Sequence, residues 1–147
     1  MTKELYIVSR DVLIDFNPAI PGETYLGKHT GYMLVEKDEQ GNILSVETVD
    51  LKSGNFSNIE FVYGSSENSF ILSDGTIVPG QVYVGEEWVD VTPQWCEENH
   101  YKSKVIGDIS NPEETFNKIK QNALLIDTLR ELGFPFNYGI LNQNCNT

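Results

Sequence analysis

The chain has 147 residues, with 22 Asp and Glu against 10 Lys and Arg, which gives a formal net charge of −12. This length matches one domain with its own core, and an apolar fraction of 39% with seven Phe, seven Tyr and two Trp excludes a disordered chain. The negative field repels phosphate backbones and anionic bilayers, so we expect no nucleic-acid partner and no membrane insertion.

The sequence shows no recognisable targeting signal and has few cysteines, and both observations favour an intracellular protein. No apolar run approaches the roughly 20 residues needed to span a bilayer. The first five residues lack the basic and apolar stretches of a signal peptide. The two cysteines, Cys96 and Cys145, are too few for a disulfide framework. We expect a cytoplasmic location, with export by a route that needs no signal left open.

The first two thirds of the chain predict antiparallel strands. Apolar or alternating runs occur at 5–8, 12–14, 31–35, 43–49, 59–63, 70–72, 77–78, 81–84 and 88–91. A loop at 17–22 and turns at 38–42 and 73–76 separate them. In the first turn Gly41 or Asn42 is expected to take a positive φ, so that the flanking runs pair as a hairpin.

The clearest single element is a helix near the end of the sequence. Asn111 is predicted to cap it, Pro112 suits its first position, and Glu114 completes a capping box. An apolar stripe follows at helical spacing: Phe116, Ile119, Ala123, Ile126 and Leu129 or Arg130, widened by Leu125 and Leu132. Gly133 and Pro135 are expected to end the helix. Strands followed by a helix predict one α+β domain over 1–147, an antiparallel sheet packed against that helix.

Chemistry based on thiols or imidazoles is limited to four residues. His29 lies at the entry to the predicted strand 31–35, and Cys145 follows the polar turn 141–144. A thiol nucleophile needs a neighbouring base to raise its thiolate fraction, and an imidazole on a rigid strand suits that role. The plainer interpretation is a partly buried histidine and an inert cysteine.

Two motifs resemble circularly permuted papain-like cysteine hydrolases. "HTGYMLV" opens a strand at His29, and "YGILNQNCN" follows a helix at 138–146. That group includes NlpC/P60-type enzymes, PPPDE peptidases and lecithin–retinol acyltransferase-like proteins, which share a histidine before a strand and a late "Y-N-L-L-x-N-N-C-N" box. The resemblance implies a permuted papain-like fold, with His29 as the base and Cys145 as the nucleophile.

The segment around the cysteine completes the implied site. Gln143 or Asn144 can add a side-chain donor to an oxyanion hole. In the resembled family the cysteine begins a helix, whereas two residues follow Cys145 in this sequence. We therefore expect 1–147 to lack that helix, and a partner chain is one way to complete the site.

A third polar group usually orients a catalytic histidine. If the predicted turn centres on residues 40–41, position 50 pairs with position 31. The alternation of side chains along a strand then places Asp50 on the same face as His29, with Glu47 on the opposite face. Asp50 is the candidate for the orienting group, although a shift of one residue in the register exchanges it with Glu47.

The remaining pair, Cys96 and His100, would share a face if it lay on one helix. Two ligands do not make a zinc site, and neither Glu97 nor Glu98 points the same way. We expect no metal and no cofactor, and interpret Trp95 and Cys96 as packing residues.

The leading hypothesis is therefore a cysteine hydrolase that cleaves an amide, isopeptide or ester bond through Cys145, His29 and Asp50. The acidic surface favours a protein, peptide or cationic substrate over an anionic phospholipid. The alternative is a non-catalytic protein-binding module on the same fold, such as a phage or secretion-system component. A third hypothesis is an acyltransferase of the lecithin–retinol type.

Overall fold

The computed structural model describes residues 1–15, 24–55, 58–66, 68–84 and 87–132, and these form a mixed α+β fold. The elements in chain order are β1 (Thr2–Asp15), β2 (Thr24–Lys37), β3 (Ile43–Asn55), β4 (Asn58–Ser66), β5 (Phe70–Ile71), β6 (Ile77–Val78), β7 (Gln81–Val84), β8 (Glu87–Asp90), α1 (Pro93–Glu98), β9 (Lys102–Val105) and α2 (Pro112–Glu131). The predicted α+β class is confirmed. The predicted loop at 17–22 lies outside the described residues.

The central element is a five-stranded antiparallel sheet in the order β4-β3-β2-β1-β9. Its longest pairing joins β1 to β2 over the whole length of both strands, from Thr2 opposite Lys37 to Asp15 opposite Thr24. The two apolar runs predicted at 5–8 and 12–14 are therefore one continuous strand. Two small sheets, β5 with β6 and β7 with β8, complete the strands.

Each face of the central sheet is covered by a different set of elements. We call one side the helix face, because its residues Leu5, Leu34 and Val49 pack with α2. The other side, the hairpin face, carries a cluster that includes residues from the β5–β6 and β8–α1 segments. That cluster comprises Tyr6, Val8, Met33, Val35, Val46, Ile77, Val78, Val91, Cys96 and Tyr101. Burial on both faces explains why the strands are rich in apolar residues at successive positions.

Helix α2 begins where the sequence predicts. The backbone N–H of Glu114 donates to Asn111 Oδ1 at 3.1 Å, and Asn111 Nδ2 donates to the Glu114 carboxylate at 3.5 Å. In a capping box the Glu114 carboxylate would accept from the backbone N–H of Asn111. Here it accepts from the side-chain amide of Asn111 instead.

The predicted apolar stripe of α2 is narrower than expected. Phe116 and Ala123 are buried, Ile119 packs against them, and Ile126 is half-buried. The sequence predicts a wider stripe, and this is wrong at Leu125 and Leu132, which are 54% and 71% exposed. Leu125 lies beyond the angular width that one sheet face can cover, and Leu132 follows the last residue of α2. The side chains of Leu129 and Arg130, and both Gly133 and Pro135, lie outside the described residues.

The turn between β2 and β3 follows the prediction and fixes the hairpin. Gly41 has a φ of 85°, and the Asp38 carboxylate accepts hydrogen bonds from the backbone N–H groups of Gln40 and Asn42. Gly41 is thus the residue that takes the left-handed conformation, which costs least without a Cβ. The predicted turn at 73–76 is confirmed: Gly75 has a φ of 90°, and the turn joins β5 to β6.

Two elements are missing from the sequence prediction. Helix α1 has six residues, with Thr92 as its cap, and strand β9 adds to the sheet beside β1. A helix of that length carries too little periodicity to detect. Strand β9 is polar and pairs with residues far away in the chain. Among the described helices, none has the length and apolar character needed to cross a membrane.

Candidate functional site

His29 lies on the hairpin face, inside the sheet. It is 9% exposed and pairs with Arg10 across the β1–β2 ladder. The sequence predicts that His29 precedes its strand. This prediction is wrong, because β2 begins at Thr24 and includes His29. The ladder with β1 extends seven residues further than the apolar run 31–35 suggests. His29 therefore lies within a strand that is paired with β1, rather than in a loop.

Asp50 contacts the imidazole of His29 directly. His29 Nε2 and Asp50 Oδ1 are 2.8 Å apart. The register that brings them together places Tyr32 opposite Val49, so the adjacent residue Asp50 reaches the strand segment that carries His29. Glu47 lies on the helix face, where it accepts a hydrogen bond from the Tyr63 hydroxyl. This hydrogen bond, followed by burial, raises the pKa of Tyr63 to about 12.

Gly31 makes the contact between His29 and Asp50 sterically possible. A Cβ built on Gly31 would lie 1.8 Å from Asp50 Oδ1 and 3.2 Å from the carbonyl oxygen of Val49. The Asp50 carboxylate therefore occupies the space that any side chain at position 31 would need. The glycine of the "HTG" motif is explained by this close approach rather than by backbone freedom.

The histidine pair is surrounded by groups that the sequence analysis did not single out. Arg10 Nη2 donates to the carbonyl oxygen of Tyr83 at 3.5 Å, which joins β1 to the β7–β8 hairpin. Tyr101 is buried nearby, and burial raises its pKa, with a further increase from the negative charge of Asp50. A basic residue between the two apolar runs of β1, as at Arg10, is the signal that could have identified this neighbour.

The structure thus brings together two of the predicted site residues, His29 and Asp50. Cys145 and the oxyanion candidates Gln143 and Asn144 lie outside the described residues. The described geometry is a buried imidazole with a carboxylate on one ring nitrogen. Such a pair can take a proton from a nearby acid and return it.

Comparisons with protein-family models, with curated proteins and with solved structures found no match to this chain.

Cys96 and His100 do not share a helical face. Helix α1 ends at Glu98, and His100 has a φ of 50°, so the chain has left the helix before it. Cys96 is buried in the cluster on the hairpin face, and burial raises the pKa of its thiol. His100 Nδ1 lies 2.5 Å from Asp11 Oδ2 instead. The interpretation of Trp95 and Cys96 as packing residues is confirmed.

We expect a chelator to leave the melting temperature of the protein unchanged. The Cys96 thiol faces the core and the His100 ring contacts Asp11, so the two cannot converge on one ion. Within the described ranges, no three His, Cys, Asp or Glu side chains are grouped as metal ligands. Thermal unfolding with and without EDTA measures this, and a decrease of several degrees on adding EDTA would show that a structural metal exists.

A Gly31→Ala substitution should destabilise the protein by about 1–3 kcal/mol, because the new methyl group overlaps the Asp50 carboxylate and crowds a backbone carbonyl. Gly107→Ala is the matched control, since a Cβ there meets no atom within 4 Å. Urea unfolding of both variants provides the comparison. Equal stability of the two variants would mean that Asp50 does not occupy the space over Gly31.

Proposed function

We propose that this protein is a cysteine hydrolase of the circularly permuted papain-like type, acting on an amide, isopeptide or ester bond of a protein or peptide substrate. The observation that carries the proposal is the 2.8 Å contact between His29 Nε2 and Asp50 Oδ1. A histidine fixed by a carboxylate is the base that a thiol nucleophile requires. An antiparallel sheet with a helix late in the chain also agrees with the architecture that the resemblance implies.

In the proposed reaction, Cys145 is the nucleophile. Its thiol proton passes to the His29 imidazole as the sulfur attacks the carbonyl carbon of the substrate. The tetrahedral intermediate collapses when the imidazolium returns that proton to the leaving amine or alkoxide. A thioester on Cys145 remains. Water, deprotonated by His29, then attacks the thioester, which releases the acid and restores the thiol.

Asp50 is the orienting group in this scheme. Its contact with Nε2 holds the ring in the sheet and fixes the nitrogen from which proton transfer occurs. The negative charge also stabilises the imidazolium that forms during the attack. Because His29 is 9% exposed, solvent screens this interaction less than it would at the surface.

The contact between His29 and Asp50 alone does not distinguish catalysis from structure. A buried histidine that satisfies its hydrogen-bonding groups would show the same contact. The experiment must therefore report on Cys145, the residue that only the catalytic hypothesis links to His29. If Cys145 is unrelated to His29, the non-catalytic protein-binding module becomes the better hypothesis.

The test uses p-nitrophenyl acetate, a small activated ester that needs no specific binding pocket. Intact-mass spectrometry followed by peptide mapping should find one acetyl group on Cys145 in the wild-type protein. Cys145→Ser should lose this label, and buried Cys96 should remain unlabelled in both proteins. Labelling of Cys145 at the same rate in a His29→Ala variant would contradict the proposal, because the base would then be unnecessary.

A further inference from the structure

A groove of about 370 Å³ lies at the edge of the sheet, over β4 and beside the β7–β8 hairpin. Its lining residues are Thr48, Tyr63, Gly64, Ser65, Ser66, Pro79, Gln81 and Trp88. None of these described lining side chains carries a charge, in a chain with 22 acidic and 10 basic residues. A neutral groove on so acidic a protein points to a ligand that is itself neutral and polar.

Trp88 forms the apolar part of this groove. Its six-membered ring lies directly on Gly64, because a Cβ built there would be 2.4 Å from Trp88 Cη2. Tyr83 holds the indole from the side, with ring centroids 5.4 Å apart in an edge-to-face arrangement. Trp88 nevertheless remains 41% exposed. An indole that is fixed in position and still open to solvent is suited to stacking against a ligand.

The polar part of the groove is also held in place. Ser66 Oγ accepts a hydrogen bond from the backbone N–H of Gly80 at 2.9 Å, which leaves its hydroxyl proton to donate elsewhere. Gln81 Nε2 donates to Asp90 Oδ1 at 2.9 Å, so the amide oxygen of Gln81 is the accepting end of that side chain. Thr48 adds a further hydroxyl group, on the same face of the sheet as Gly64 and Ser66.

We infer that this groove is a binding site for a neutral oligosaccharide. A pyranose ring offers an apolar C–H face for the indole and a rim of hydroxyl groups that both donate and accept hydrogen bonds. The groove supplies both partners, an exposed Trp88 ring and uncharged hydroxyl and amide groups. Its volume accommodates one or two sugar rings.

The same edge of the sheet could in principle receive an extended peptide as an added strand. The lining favours a saccharide, because it includes the hydroxyls of Thr48 and Ser66, the amide of Gln81 and the aromatic ring of Trp88. In addition, the backbone of Gly80 bonds to Ser66 at the end of β4, so the 79–81 segment already lies beside part of the strand.

The site is next to the proposed catalytic pair but does not depend on it. Thr48 lies on the same face of β3 as Asp50, two residues away, which corresponds to about 7 Å along the strand. The inference requires neither Cys145 nor His29. A His29→Ala variant should therefore bind the saccharide as the wild-type protein does, which separates the failure of one proposal from the failure of the other.

The experiment titrates the protein with three neutral probes, cellohexaose, chitohexaose and maltohexaose, by isothermal calorimetry and saturation-transfer NMR. At least one probe should bind, and Trp88→Ala should weaken its binding by about tenfold or more. Gly64→Ala should also weaken it, because the new methyl group displaces the indole. Trp95→Phe is the matched control, since that tryptophan contacts Tyr101 and is not among the residues that line the groove.

Three outcomes would overturn the inference. The first is that none of the three hexasaccharides binds the wild-type protein at millimolar concentration. Alternatively, binding could persist unchanged in a Trp88→Ala variant that melts like the wild-type protein. Finally, an uncharged extended hexapeptide could bind at Trp88 while the saccharides do not, which would identify the groove as a site for strand addition.

Discussion

Phe116→Ala should lower the free energy of unfolding by about 3–5 kcal/mol, because it leaves a cavity at the centre of the helix face. Phe116 is 1% exposed and belongs to the cluster formed by Leu5, Leu34, Val49 and Ala123. Its ring therefore bridges three neighbouring strands of the sheet and α2. Urea unfolding followed by circular dichroism measures the loss.

The matched control for this substitution is Leu125→Ala. Leu125 lies on the same helix but is 54% exposed, so its truncation should change stability by no more than about 0.5 kcal/mol. Similar losses for the two variants would contradict the packing of α2 on the sheet. The comparison also tests the narrow apolar stripe against the wider stripe that the sequence predicts.

The pattern of the sequence predicts the strands of the central hairpin and the long helix correctly for local reasons. Gly41 and Asp38 specify the turn by their own chemistry, and Asn111 and Pro112 specify the start of α2. Helix α1 and strand β9 could not be predicted in this way. The short helix is stabilised by Cys96 in the core, and β9 by its ladder with β1, and neither interaction is visible in the local sequence.

The sequence predicts the register that brings Asp50 to His29, with position 50 opposite position 31. In the structure this register results from a bulge and not from the position of the turn alone. Lys37 pairs with Ile43 and Glu36 with Ser45, so a bulge at Leu44 shifts the ladder by one residue. Without the bulge, the alternation of side chains would have placed Asp50 on the face opposite His29. The sequence offers no signal for this bulge, because Leu44 continues the apolar alternation of the strand.

Asp50→Asn should lower the rate of Cys145 acetylation by about 10²–10⁴-fold, since the amide can hold the ring in the wrong tautomer and cannot stabilise the imidazolium. His29→Ala should produce a loss of at least similar size, because it removes the base itself. Stopped-flow measurement of p-nitrophenolate release gives both rates. The Asp50→Asn variant should also show an altered pH profile, which a purely structural role would not produce.

Glu47→Gln is the matched control for Asp50→Asn. Glu47 lies on the same strand but on the helix face, where its carboxylate accepts from the Tyr63 hydroxyl. We expect the acetylation rate of this variant to equal that of the wild-type protein. An equal loss of rate in both carboxylate variants would mean that the effect arises from charge or stability in general, and not from the contact with His29.

The most direct test of the account is the pH dependence of Cys145 alkylation by iodoacetamide, followed by mass spectrometry of the two cysteine peptides. If His29 activates the thiol, Cys145 reacts with a midpoint well below the value of about 8.5 for a free cysteine. His29→Ala then returns the midpoint to that of a free thiol. Cys96 provides an internal reference, because it is 2% exposed and burial raises its pKa, so it reacts slowly in both proteins. A free-thiol midpoint for Cys145 that is unchanged in His29→Ala would contradict the assignment of this chain as a cysteine hydrolase.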